Sequence, residues 1–249
     1  MAELCAADKP KVFLALPSRD GWMRSAFMAA LDDVRENAGV CVVGLVQTSL
    51  LANGFNKAFC GALNGRDRGI THFLLVHADV VPQGRWFYQM CQDMARFNLD
   101  VLSAVITFRN DTGKTSTAIE DDNREPHPYY MHRDAGYGDD RLVFPKNAVL
   151  TSREQPKLLI NTGCLLMNIT RPWADEFSFM VGDLIGKNKD GKFEALNEPE
   201  DWRMSRHLMA KKVPYGATSK VHVIHHGTKD FLNWEPTPEE VAIRESFKS

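Results

Sequence analysis

The stretch LLVHADVVP, residues 74–82, decides how the chain folds. Four of its first five residues are apolar, as in a strand buried on both faces. A histidine and an aspartate then appear, and a proline closes the run. The strand therefore carries His77 and Asp79 at its carboxyl end. In an extended chain, residues two apart point to the same side, so both side chains are expected to meet one ligand. A divalent cation, Mg2+ or Mn2+, accepts such donors and often bridges phosphate oxygens. An aspartate at this place also serves as a plain turn residue ahead of Pro82.

On the amino-terminal side, KVFLALP (11–17) and VCVVGLVQT (40–48) read as two more buried strands. Helices fit between them. One runs from about Trp22 to Glu36, and one spans FNKAFCGALNGRDRG (55–69). The strand that carries His77 then covers 71–79, WFYQMCQDMARF (86–97) follows as a helix, and DVLSAVIT (100–107) as a fourth strand. Strands alternating with helices predict parallel pairing with crossover helices. In such sheets ligands bind beyond the carboxyl ends of the strands, where His77 and Asp79 lie.

The alternation stops after Thr107. Residues 108–157 are polar, with paired acids, prolines and aromatics, and read as an irregular, functional segment. Tyr129, Tyr130 and Tyr137 there could wall a sugar or base, or simply pack their own loop. KLLINTGCLLMNI (157–169) reads as two short strands around Asn161-Thr162-Gly163. GKNKDGKFEALNE (186–198) reads as a second flexible stretch, PEDWRMSRHLMAKK (199–212) as a helix, and KVHVIHHG (220–227) as a last strand before a polar tail, 228–249.

The chain has 249 residues, 25% charged and 44% hydrophobic, with a formal net charge of -2. That is an ordinary globular composition, and bulk charge demands neither nucleic acid nor membrane. The five cysteines are widely spaced without a CxxC pair, which argues against a zinc knuckle and for a reducing compartment. No signal peptide and no apolar run near 18 residues is apparent, so a cytoplasmic location is expected. DTGKTST (111–117) fails as a phosphate loop because Phe108 stands where the first glycine belongs. There is no GxGxxG after the first strand and no GxSxG.

Two further clusters carry candidate chemistry. Glu200-Asp201 opens a helix after Pro199. Acids in a first turn complement the helix dipole without any chemistry, but a carboxylate there could also act as a general base. His222, His225 and His226 crowd one strand, as borderline-metal ligands or as a titrating patch.

Taken in order, these segments resemble the GT-A glycosyltransferases, most closely the family-2-like group, over about residues 11–227. KVFLALPSR looks like the first nucleotide-binding strand, with Pro17, Ser18 and Arg19 at its end, and LLANGFNKAF carries Asn56 near the start of the second helix. LLVHADVVP falls on an acid-any-acid motif, Asp79 on its metal-binding acid and His77 in place of the other. INTGCLLMNI looks like the lining of donor sugar and acceptor through Asn161, Thr162 and Gly163. EPEDW resembles the Glu-Asp motif, with Asp201 as catalytic base, Glu200 beside it and Trp202 at the sugar. HVIHHG supplies a late metal histidine, either His225 or His226.

The resemblance implies an α/β GT-A (Rossmann-like) single domain with a mixed, mainly parallel sheet flanked by helices. Its nucleotide-binding half covers about 11–107 and its acceptor and metal half about 108–227. It implies an enzyme that moves a sugar, with inversion, from a nucleotide-sugar donor such as a UDP-sugar to an acceptor hydroxyl, with Mn2+ or Mg2+ as cofactor. The acceptor could be a glycan, a protein or a hydroxymethylated base in DNA, given the basic clusters Arg66/Arg68, Arg203/Arg206 and Lys211/Lys212. A non-catalytic nucleotide-sugar binder and a nucleotidyltransferase are the alternatives.

Overall fold

The computed structural model describes residues 9–18, 25–47, 51–110, 112–120, 129–132, 142–187, 190–227, 230–234, 237, 238 and 240. The first half follows the predicted alternation: β1 (Lys11–Ser18), α1 (Ser25–Asn37), β2 (Val40–Gln47), α2 (Leu51–Asn64), β3 (His72–Val76), β4 (Val80–Pro82), α3 (Trp86–Phe97) and β5 (Val101–Ala104). The second half adds β6 (Lys114–Ile119), β7 (Tyr129–His132), β8 (Val149–Thr151), β9 (Leu158–Leu159), β10 (Cys164–Asn168), β11 (Gly182–Lys187) and β12 (Phe193–Glu198). It closes with α4 (Glu200–Ala210), β13 (Tyr215–Thr218), β14 (Val223–His226) and β15 (Asp230–Leu232).

The central sheet has seven strands in the order β2-β1-β3-β10-β5-β13-β8. β2, β1 and β3 are parallel, and β13 is parallel to β5. β10 runs antiparallel between β3 and β5, and β8 antiparallel to β13 at the edge. The architecture is thus α/β with a mixed, mainly parallel sheet. Helices cover both faces, which is why β3 reads as an unbroken apolar run. Leu74 and Val76 pack with Trp86, Phe87 and Met90 of α3 and with α1. Phe73 and Leu75 face Phe55 and Phe59 of α2 and Met204 and Leu208 of α4.

Several segments differ from the sequence reading. β3 stops at Val76, and residues 77–79 turn instead of extending the strand. The turn is closed by the Val80 amide donating to the His77 carbonyl at 3.0 Å. α2 starts four residues earlier than predicted, at Leu51, because Gly54 masks a helical start in the sequence. The polar segment 108–157 is not wholly irregular, since it contributes β6, β7 and β8. β12 pairs antiparallel with β11 where a flexible stretch was expected, and the tail contributes β15, paired on β14. β13 was hidden by Gly216, a weak strand residue. It is glycine for a reason of space: a Cβ there would stand 2.8 Å from the Leu150 carbonyl oxygen. Of the described cysteines, Cys164 alone is fully buried, and Cys60 is exposed on α2. Among the described residues no helix is long and apolar enough to cross a membrane.

Candidate functional site

The parallel strands β1, β3, β5 and β13 end on one edge of the sheet, and the antiparallel β10 begins there, Cys164 pairing with Val76. Four segments therefore meet beyond this edge: 77–79 after β3, 107–109 after β5, 160–163 before β10, and the small sheet β4-β14-β15.

The small sheet brings a distant histidine to Asp79. β14 pairs antiparallel with β4, placing His225 opposite Val80, and the His226 amide donates to the Asp79 carbonyl at 2.8 Å. His225 Nε2 lies 3.6 Å from Asp79 Oδ2. Its other nitrogen, Nδ1, lies 2.8 Å from the Thr107 carbonyl oxygen. A carbonyl only accepts, so Nδ1 carries the proton, and a neutral ring presents the Nε2 lone pair toward the carboxylate. Two electron-pair donors facing each other call for a proton or a cation between them. His226 occupies the opposite face of β14 and is buried, so of the two late histidines His225 is the one beside Asp79.

Arg109 Nη1 donates to the same Asp79 Oδ2 at 3.0 Å. Burial is the largest influence on Asp79 and acts to raise it. When the rings are protonated, a hydrogen bond from His225 and the charges of His225, His77 and Arg109 outweigh burial and hold the carboxyl at about 2. His77 does not stand beside Asp79 on one side of a strand, because the turn at 77–79 separates them. Its ring lies 5.2 Å from that of Phe55, and its Nε2 is 3.5 Å from Thr162 Oγ1. Burial pushes His77 down to about 4, so the ring is neutral near pH 7.

A second carboxylate group sits on the first turn of α4. Asp201 Oδ1 accepts from the Trp202 amide at 2.8 Å. Burial first, and then the neighbouring Glu200 charge, push Asp201 up to about 7. Tyr130 of β7 is its companion: burial and the Asp201 charge raise the phenol to about 12. Tyr130 packs between Phe108 and Trp202, at ring distances of 5.0 and 5.7 Å.

Residues Ile160–Gly163 join the two centres. Ser205 of α4 accepts from the Ile160 amide at 2.9 Å, and its one proton has the Asp201 and Ile160 carbonyls as acceptors, at 2.9 and 3.2 Å. Thr162 Oγ1 donates to Glu200 Oε1 at 3.2 Å, and the Gly163 carbonyl accepts from the His77 amide at 2.9 Å. Ile106 packs closely on Gly163: a Cβ there would stand 2.5 Å from Ile106 Cδ1, which would have to move.

The other expected residues fall elsewhere. Asn161 is buried, its amide donating to the Ala104 carbonyl at 2.7 Å and its Oδ1 accepting from the Gly163 amide, so it shapes the bridge from within. Trp202 is 7% exposed and packs with Ala118 and Leu159 as core. Asn56 spends its side-chain amide on the Phe179 backbone, with bonds of 2.7 and 2.8 Å. Pro17 and Ser18 are buried at the end of β1, and Arg19 lies outside the described residues, as do Tyr137 and residues 121–128. Arg109, the Thr107 carbonyl and the placement of Tyr130 beside Asp201 were not anticipated. Among the described residues no group of three or more His, Cys, Asp or Glu is placed to hold a metal ion.

No family model and no curated protein matches the chain. Solved structures do. "Crystal Structure of A197 from STIV" matches over 91% of this chain and 96% of that one, at 14% identity and a TM-score of 0.54. UDP-glucose pyrophosphorylase complexed with UDP-glucose matches over 96% and 81%, at 13% identity and a TM-score of 0.37. Mannose-1-phosphate geranyltransferase from Thermus thermophilus matches over 68% and 62%, at 12% identity and a TM-score of 0.35. The first likeness is one of fold. The other two are too distant to bear on function.

Proposed function

We propose that the chain is a metal-dependent glycosyltransferase of the GT-A type, moving a sugar from a nucleoside-diphosphate sugar, UDP being the first choice, to an acceptor hydroxyl with inversion. One observation carries the reading. The bridge Ile160–Gly163 bonds to His77, two residues before the Asp79 that faces His225, and to Glu200, next to Asp201, whose carboxyl is pushed up to about 7, so both acids lie on the same edge of the sheet.

The donors present fit Mn2+ or Mg2+. One is a carboxylate oxygen. The other is an imidazole nitrogen whose partner nitrogen is fixed on a backbone carbonyl, as metal-ligating histidines usually are. Two protein donors suffice where substrate phosphates and water complete the shell. A cation held there would neutralise the charge that develops on the departing diphosphate. The chain's own residues do the rest. Asp201, with its pKa of about 7, accepts the proton of the attacking hydroxyl, and attack from the base side inverts the anomeric carbon. Glu200, held by Thr162, keeps that basicity high. Tyr130, packed between Phe108 and Trp202, is the aromatic neighbour of Asp201.

The basic clusters favour a glycan or protein hydroxyl over DNA. Arg66 pairs with Asp175, Arg206 with Glu120 and Glu198, Arg203 with Glu198 and Lys211 with Glu176, so four of the six cations have acidic partners within the fold.

The test is a thermal shift with UDP, GDP, CDP and TDP, with and without MnCl2, on the wild type and Asp79→Ala. A diphosphate at about 100 times its Kd stabilises by roughly 2.7 kcal/mol. The reading expects one nucleotide to act, only with Mn2+, and only on the wild type. No shift with any nucleotide sinks it. Release of pyrophosphate from a sugar phosphate and a nucleoside triphosphate would move the assignment to nucleotidyl transfer.

A further inference from the structure

Asp79 Oδ2 is claimed twice. Arg109 Nη1 donates to it at 3.0 Å while His225 Nε2 faces the same atom from 3.6 Å. A cation shared by His225 and Asp79 needs that oxygen, and it would also repel a guanidinium a few ångströms away. The two positive groups therefore compete for one anchor.

The backbone around Arg109 is fixed while its side chain is free to turn. Thr107 is held through its carbonyl by His225, and the Phe108 amide donates to the Lys114 carbonyl at 2.9 Å. Beyond it, Asn110 Oδ1 accepts from the Thr112 amide at 3.2 Å. The Arg109 side chain is 53% exposed and that of Asp79 36%. An ion pair this open is weak, and little is lost on breaking it.

We propose that Arg109 is a diphosphate clamp that neutralises Asp79 in the empty site and exchanges it for phosphate oxygens when the cation arrives. The proposal rests on the transferase reading and adds a residue to it. Guanidinium groups are suited to this exchange: their planar fork pairs as readily with phosphate as with carboxylate, and they are weakly hydrated. The exchange also orders events. With Arg109 on Asp79 the cation alone binds poorly, whereas cation and diphosphate together satisfy all three groups. Free cation and free nucleotide are each disfavoured relative to the pair.

The experiment is titration calorimetry on wild type, Arg109→Gln and Arg109→Lys, with MnCl2 alone and then with UDP, GDP, CDP and TDP, each in excess MnCl2. Arg109 is exposed, and a thermal melt confirms that each variant folds. Removing the competing guanidinium is expected to tighten Mn2+ alone about two- to fivefold. Losing the clamp is expected to weaken the diphosphate about tenfold or more, with Arg109→Lys recovering part of that loss. The two affinities moving in opposite directions is the signature. If Arg109→Gln leaves Mn2+ binding unchanged or weaker, or leaves diphosphate binding unchanged, the exchange is wrong while the transferase reading stands. If the wild type takes up no nucleoside diphosphate with Mn2+, both fall.

Discussion

The raised Asp201 makes a prediction about stability that needs no substrate. Asp201→Asn keeps the side-chain oxygen that accepts from the Trp202 amide and removes only the ionisation. In the wild type, the carboxyl moves from 3.8 to about 7 on folding, because burial and Glu200 penalise its charge. That difference corresponds to about 4 kcal/mol. Below pH 3.8 the carboxyl is protonated in both states and contributes nothing. Between 3.8 and 7 the unfolded chain ionises while the folded chain stays protonated, so stability falls as pH rises. Above pH 7 the whole penalty is in place. From pH 5 to pH 8 the wild type should therefore lose about 3 kcal/mol more than Asp201→Asn. Urea unfolding of both proteins at pH 5, 6, 7 and 8 measures this, and titrating groups that do not interact with Asp201 cancel in the comparison. Glu200→Gln should narrow the gap, since it removes the second cause. Parallel stability curves for wild type and Asp201→Asn would refute the idea that Asp201 is poised near neutrality, and its candidacy as the base would lose its physical ground. If the curves diverge as expected, the same Asn variant should reduce sugar transfer by roughly two to four orders of magnitude.

Two other substitutions separate framework from chemistry. Asn56→Ala breaks both bonds to the Phe179 backbone and should cost roughly 1–3 kcal/mol in thermal or urea unfolding. Calorimetry should show its diphosphate affinity unchanged; a selective loss of affinity would return Asn56 to the nucleotide. Asn233→Ala deserts the Val105 and Val221 carbonyls and the Val223 amide, all buried. It should cost roughly 2–4 kcal/mol and weaken Mn2+ binding as well, because the same bonds hold β14 and hence His225. Unchanged Mn2+ affinity in a destabilised Asn233→Ala would mean that β14 is placed by its strand pairing alone.

What could be read ahead of the structure was whatever depends on neighbours in sequence. α3 carries apolar residues at helical spacing, and its bounds were predicted to the residue, Trp86–Phe97. The middles of β1 and β3 are apolar because both of their faces are covered, and that too is a local pattern. Asp79 was legible as a strand-end acid. Its partner was legible only as one of two histidines, because the choice depends on β14 pairing with β4 from far along the chain. Arg109 gave no signal: an arginine in a polar segment is ordinary, and only the folded chain shows that it reaches Asp79.

The geometry of the site also depends on a segment whose polar residues were expected to touch substrate. Asn161 instead turns inward, bonding Ala104 and Gly163, and the turn it stabilises delivers Thr162 to Glu200 and the Gly163 carbonyl to His77. Gly163 lets the Ile106 side chain pack closely against this turn. α4 is tied to that turn by the Ile160 amide, which donates to Ser205 Oγ. The carboxyl at the start of α4 and the turn that carries Asp79 are thus set by one short backbone segment. A displacement of that segment would move both centres together, and their separation is a property of the backbone more than of the side chains that face the cleft.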